Sequence, residues 1–246
     1  MDNTLLVSLS HQLAAYRSMD VIANNLANAD TPAFKRESAT FQEFVAQVQP
    51  GEGEKGRQQV SFVKDAGDTR DLSQGHATVT NAPYDLAING KGYFAVQTPA
   101  GDTRYTRNGH FTLDSEGRIA TENGDILQGD GGEVTVTADD GDIHIAQDGT
   151  VTGAKGQIAK LKLVDFDNEA ALKKEGASLY STDQYPKAVE APSIHQGAVE
   201  ASNVQPVIEI SHMIQVMRAY QATANLTQSQ EDLMRNAIDK ISEAPN

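Results

Sequence analysis

Apolar residues recur along this chain at two different periods. Near the amino terminus Leu6, Leu9, Leu13 and Tyr16 follow a 3-4-3 spacing, extended by Ala23 and Ala27 and interrupted by Asp20. That spacing predicts an amphipathic helix. Asp30, Thr31 and Pro32 close it, because the residue before a proline disfavours helical dihedrals. About 26 helical residues would run about 39 Å. At the other end Val207, Ile210, Ile214, Met217, Gln221 and Ala224 form one seam, and Leu226, Gln230, Leu233, Ala237 and Ile241 a second, offset one. Ser202 and Gln205 fit a capping box, with Pro206 in the first turn of this helix.

Between the ends the period falls to two. Tyr93–Val96, His110–Leu113, Val134–Thr137, Ile143–Ile145 and Lys160–Leu163 read as strands, and Asp148-Gly149 as a hairpin turn. Two stretches match each other: Phe111, Leu113, Gly117, Ile119 and Gly124 recur as Ile143, Ile145, Gly149, Val151 and Gly156. The pattern suggests one strand–turn–strand unit used twice. Residues 50–59 read as a polar linker or exposed loop, and residues 167–178 as a short helix or surface loop.

The distribution of glycine sharpens this division. All 20 glycines lie between Gly51 and Gly197. Glycine marks turns and bulges, so the chain should carry a long helix at each end and short strands with tight turns between. The expected fold is α+β, with segments at 1–35, 36–75, 76–200 and 201–246. The third is a body of short antiparallel strands, and the second an extended linker or hairpin. Two destinations are open for the helical seams: the β body of the same chain, or helices of other subunits.

Charge divides the same way. The total is 20 − 34 = −14, with 14 basic and 24 acidic residues between 51 and 200 and a balance of −2 on either side. The acid therefore marks the body as the solvent-facing part. A pI near 4.7 argues against nucleic-acid binding, which needs a basic face. No apolar run reaches the length of a membrane span. The start, with Asp2 and no basic n-region, predicts no secretory leader.

Little in the sequence points to catalysis or cofactors. There is no cysteine, which removes disulfides, thiolate metal sites and a cysteine nucleophile. The six histidines, at 11, 76, 110, 144, 195 and 212, show no ligand spacing. Asp139, Asp140 and Asp142 lack the distal glutamate of a calcium loop. Asn89-Gly-Lys-Gly-Tyr93 has two glycines but no following helix, so it does not cradle phosphate. No cofactor and no metal are expected. A cell-wall hydrolase on a β scaffold remains the competing class, which predicts a cleft with a carboxylate pair of shifted pKa.

Four blocks identify a family. The run from Ala23 to Lys35, ANNLANADTPAFK, resembles the amino-terminal signature of bacterial flagellar rod and hook proteins. The run from Asp85 to Phe94, DLAINGKGYF, is similar to a second block of that family. The run YTRNGHF from Tyr105 to Phe111, with Leu113, Asp114 and Gly117, is similar to a third. Gly197, Glu200, Ser202, Asn203 and Val204, followed by Met213, Ile214, Arg218 and Tyr220, resemble the carboxy-terminal signature. Ala33 stands where relatives commonly have glycine, so the turn after the first helix should differ in detail.

The resemblance implies an outer β domain and an inner tube made from both chain ends. It implies a non-enzymatic subunit of the rod, the drive shaft crossing the periplasm, with proximal-rod members matching best in length and distal-rod members the near alternative. Expected partners are other copies of the chain, other rod proteins, the flagellar type III export apparatus and the enclosing rings, with no nucleic acid and no membrane insertion. Expected interface residues are Leu6, Leu9, Leu13, Tyr16, Asn24, Asn25, Asn28, Phe34, Val207, Ile210, Ile214, Met217, Arg218, Tyr220 and Leu233. Asn24, Asn25 and Asn28 either tie helix ends to neighbours or cap locally, and Arg218 and Tyr220 would bridge helices across subunits. If the seams lack a partner within the monomer, the ends should order only on assembly.

Overall fold

The computed structural model describes residues 2–48, 58–176 and 178–242. The polar stretch expected as a linker lies outside the described residues, save for Gln58 and Gln59. The chain divides into two compact units: Met1–Ala27, Glu37–Arg70 and Gln205–Asn246 in the first, Asn28–Arg36 and Asp71–Val204 in the second. The architecture is α+β, with a long helix near each end and short antiparallel strands between.

Unit 1 holds helix α1 (Asp2–Ala27), the strands β1 (Glu37–Val48) and β2 (Gln58–Arg70), and helix α2 (Pro206–Ser242). The two helices pack against each other. Glu209 in the first turn of α2 and Lys240 in its last both suit the helix dipole. β1 and β2 form an antiparallel ribbon in register from Glu37 opposite Arg70 to Val48 opposite Gln58. One bulge interrupts it, since Thr40 faces Gly67 while Phe41 faces Asp65. Gly67 adopts φ +97° there, a left-handed conformation that glycine accepts without strain. Helix α1 runs beside the ribbon: the Val63 N–H donates to Ser10 Oγ at 3.4 Å. Arg17 reaches Asp65 at 3.5 Å and Asp68 at 2.5 Å, one on each side of the bulge.

Unit 2 is built on a ten-stranded antiparallel sheet whose main path runs from Lys173–Glu175 through Leu179–Ser181, Thr103–Thr106, Tyr93–Gln97, Ile126–Gly129 and Ile119–Ala120 to Thr112–Leu113. Tyr93–Gln97 lies at its centre and is buried on both faces. Phe94 and Val96 enter one core, with Leu86, Phe111, Ile119, Leu127, Val151 and Ile194. Tyr93 and Ala95 enter another, with Tyr105, Phe166 and Tyr180. That double burial is why this strand reads as a continuous apolar run instead of an alternation. The matched stretches fold alike: Leu113 pairs with Ile119 in one antiparallel hairpin and Ile145 with Val151 in another.

Several local expectations are corrected. Val134–Thr137 is not a strand, although it is extended and bonded. Ile119 N–H donates to the Val134 carbonyl and Val136 N–H to the Gly117 carbonyl, and these partners do not continue as a ladder. Lys160–Leu163 is split, because Gly156–Lys160 ends one strand and Leu163–Asp165 belongs to another sheet. Ser202 makes no capping box: α2 begins at Pro206, and Ser202 Oγ accepts the Val204 N–H instead. The stretch from 167 holds one turn of 3-10 helix, Glu169–Ala171, then the strand Lys173–Glu175.

Candidate functional site

Two features of the molecule concentrate apolar surface and buried charge. The first is on the helices of unit 1. Leu6, Leu9, Leu13 and Tyr16 on α1 are exposed, Leu13 at 63%. On α2 Val207, Ile210, Ile214, Met217, Tyr220, Leu226 and Leu233 are exposed, Val207 at 77%. Arg218 is also exposed. A helix packed on a single partner buries one stripe. Here α1 and α2 touch, yet the apolar seams read from the sequence still face outward.

Two of the residues expected at an interface lie inside the chain. Asn25 is fully buried. Its Nδ2 donates to the Glu37 carbonyl at 2.7 Å and to Glu209 Oε2 at 3.2 Å, and its Oδ1 accepts the Glu37 N–H at 2.9 Å. It therefore joins α1, β1 and α2 within unit 1. Phe34 is buried in unit 2, with Lys174 Nζ 4.4 Å from its ring centre. Asn24 is exposed. Asn28 is half-buried and accepts a hydrogen bond from the Thr31 hydroxyl at 3.2 Å.

The second feature is a charge cluster inside unit 2. Glu200 ends the strand Ala198–Glu200 and is 1% exposed. Its Oε1 receives Lys35 Nζ at 2.5 Å and the Gly75 N–H at 3.1 Å, and its Oε2 receives Arg107 Nε at 2.9 Å. Lys35 also donates to the Ser73 carbonyl at 2.8 Å. Burial lowers the Lys35 pKa below its ordinary value, against the opposing pull of Glu200. Ions removed from water cost several kcal/mol each unless they are paired and hydrogen-bonded, and here each cation is paired with Glu200 and also bonded to a backbone carbonyl.

Arg107 explains the two-glycine loop. Its Nη1 donates to the Gly92 carbonyl at 3.0 Å and its Nη2 to the Gly90 carbonyl at 2.8 Å. Gly90 and Gly92 adopt φ +95° and +122°, which turns both carbonyls toward the guanidinium. Such a loop offers acceptors where a phosphate would need N–H donors, so it is a cradle for arginine.

Parts of all four sequence blocks thus lie in unit 2. Phe34 and Lys35 come from the first. Asp85 in the second lies 2.7 Å from His110 Nδ1 in the third, and the Leu86 N–H donates to the Gly109 carbonyl at 2.9 Å. Glu200 and Asn203 come from the fourth. Asn203 Oδ1 accepts the Arg36 N–H at 2.7 Å, while its Nδ2 donates to the carbonyls of Asp71 and Ser73 at 2.9 and 3.0 Å. Lys35, Arg107, Glu200 and Asn203 stand within the blocks read from the sequence, but none was among the expected interface residues. The signal was present as charged or amide residues set inside three of the four blocks: Lys35 in the first, Arg107 in the third, and Glu200 and Asn203 in the fourth.

Comparison with known proteins agrees with the blocks. Residues 5–35 match the model described as flagella basal body rod protein. Residues 87–153 match the flagellar hook protein FlgE/F/G D1 domain, and residues 195–240 the flagellar basal body rod FlgEFG protein C-terminal model. The chain is 40% identical to the flagellar basal-body rod protein FlgF of Caulobacter vibrioides, over 98% of both chains. It is 32% identical to FlgF of Mesorhizobium japonicum, again over 98% of both. Identity to FlgG of Caulobacter vibrioides is 32%, over 94% of this chain and 96% of that one.

Proposed function

The chain belongs to the flagellar basal-body rod protein family, and from that premise we propose that it is a FlgF-like structural subunit of the rod, built into a helical polymer that transmits torque. Of the two Caulobacter vibrioides relatives, the FlgF protein is the more similar, at 40% against 32% identity. That difference favours the proximal over the distal position.

The observation that carries the reading is the exposed apolar surface on both helices of unit 1. A surface that meets a different surface on the next copy makes contacts that do not close, and so builds a filament. Eight seam residues are concerned: Leu6, Leu9, Leu13, Tyr16, Val207, Ile210, Ile214 and Met217. They are 44–77% exposed, so full burial contributes roughly 1 kcal/mol apiece, or on the order of 10 kcal/mol together. Association alone costs about 4–15 kcal/mol in lost freedom. One neighbour is then barely enough, and several neighbours at once make a stable tube. The subunit stays single until it reaches the growing end.

The role is structural, without a catalytic step. The subunit acts in the periplasm, reaches it through the flagellar type III export apparatus, and contacts other rod proteins within the enclosing rings. Among the described residues no helix is long and apolar enough to cross a membrane. Deletion of the gene tests the reading: electron microscopy of purified basal bodies should show rods lost, and the restored gene should return them. Intact rods in the deletion strain would overturn it.

A further inference from the structure

The chain passes out of unit 2 at four places, next to Asn28, Arg36, Asp71 and Val204. Within unit 2 the residues flanking three of those places, at Arg36, Asp71 and Val204, are hydrogen-bonded to one another. The Arg36 N–H donates to Asn203 Oδ1, and the Asp71 N–H to the Arg36 carbonyl at 2.8 Å. Asn203 Nδ2 donates to the Asp71 and Ser73 carbonyls, and the Asn203 N–H to the Phe34 carbonyl at 3.3 Å. The Ala33 N–H donates to the Glu200 carbonyl at 2.8 Å. Beneath this backbone lies the buried Glu200 carboxylate, holding Lys35 from one segment, Gly75 from another and Arg107, which follows the strand Thr103–Thr106.

We propose that Glu200 and Asn203 are positioning residues of a load-bearing clasp, which binds three segments together, the one ending at Arg36, the one starting at Asp71 and the one ending at Val204, so that unit 2 takes up twist through all of them at once. The inference rests on the rod reading. A lone polypeptide connection swivels, because each residue has two soft dihedrals. Connections held at fixed spacing cannot turn independently, and their torsional stiffness adds. Asn203 suits the task, since its amide offers both an acceptor and donors and uses them on two different segments. Glu200 supplies the fixed point, where charge-assisted bonds resist displacement more than neutral ones do.

The test uses the full chain in a motile strain whose own gene is deleted. Asn203→Ala removes all the side-chain ties, and Asn203→Asp keeps the acceptor for Arg36 while losing the donors. Urea midpoints of the purified variants and counts of basal bodies report folding and assembly, and rotation of tethered cells across a range of viscous loads is the readout. The clasp predicts folded chains and undiminished basal-body numbers. It further predicts unchanged speed at low load and a loss of speed at high load, smaller for Asn203→Asp than for Asn203→Ala. Load–speed curves that superimpose on those of the native chain would overturn it. Basal-body numbers that fall in step with the urea midpoints, with the surviving motors rotating normally, would also overturn it. The rod reading is tested separately, by whether the deletion strain lacks rods at all.

Discussion

Lys35 and Glu200, 165 residues apart in the chain, meet at 2.5 Å where neither side chain retains more than 3% of its exposure. Arg107 holds the other carboxylate oxygen, so the two possible truncations are unequal. Lys35→Met leaves Glu200 with Arg107 and the Gly75 N–H, and should cost about 1–3 kcal/mol. Glu200→Ala leaves two cations buried without a counterion and should cost about 3–5 kcal/mol. Urea unfolding of the two variants measures the order directly; equal losses would mean that Arg107 does not share the carboxylate.

Gly109 should tolerate no side chain. A Cβ there would stand 1.6 Å from the Leu86 carbonyl oxygen, in the backbone contact that joins two sequence blocks. Gly101, at φ +91° with open space around it, provides the contrast. Gly109→Ala should cost about 3 kcal/mol or more, near the upper range for single substitutions. Gly101→Ala should cost only the left-handed backbone strain, about 1–2 kcal/mol. Thermal unfolding of both variants checks the ranking.

Ala33 departs from glycine at a position with φ +58°, and its side chain is 2% exposed. Ala33→Gly would relieve about 1–2 kcal/mol of strain, but it adds about 0.5–1 kcal/mol of chain entropy and removes a buried methyl worth about 0.8 kcal/mol. The terms nearly cancel, and the expected change is within about 1 kcal/mol of zero. Ala33→Val has no such compensation, because a β-branched residue is a genuine outlier at positive φ. Denaturant midpoints should therefore show a neutral glycine and a damaging valine.

Much of this architecture was legible before the structure. Leu6 to Tyr16 and Val207 to Met217 announce helices because their spacing repeats over several turns, and the glycines bracket the β body. What was not legible depends on distant partners. Val134 and Val136 carry a strand-like pattern, yet their hydrogen bonds go to Ile119 and Gly117 without forming a ladder. Ser202 looks like a cap, but the helix starts at Pro206, too far along for its hydroxyl to serve. Lys35, Arg107 and Glu200 are the residue types that periodicity assigns to solvent, so only tertiary pairing reveals them as interior. Asn25 and Phe34 were recognised as special from their block, while their burial within the chain had no signal of its own.

Acid should destabilise unit 2 through its turns. Asp114 is held below its ordinary value first by the Arg118 N–H, Asp140 by the Thr137 hydroxyl, and Asp148 by the Thr150 N–H. Because the folded values are depressed, the unfolded chain binds more protons in this range, and stability falls with pH. The contribution is present above the unfolded value of 3.8 and is lost as pH drops through the folded values. Urea midpoints measured at decreasing pH should decline below about 4. Asp114→Asn should flatten that decline; an unchanged slope would remove Asp114 from the account.

The chain has no cysteine, so a single introduced thiol reports on one position alone. With Leu13→Cys, Ile214→Cys and, as a control in unit 2, Tyr185→Cys, maleimide labelling can be compared between the purified chain and basal bodies isolated from cells. Burial of the helix seams against neighbouring subunits predicts rapid labelling of all three in the free chain. In the assembled rod it predicts protection at Leu13→Cys and Ile214→Cys. Equal labelling of those two positions before and after assembly would contradict the claim that the exposed seams of α1 and α2 are the contacts that build the rod.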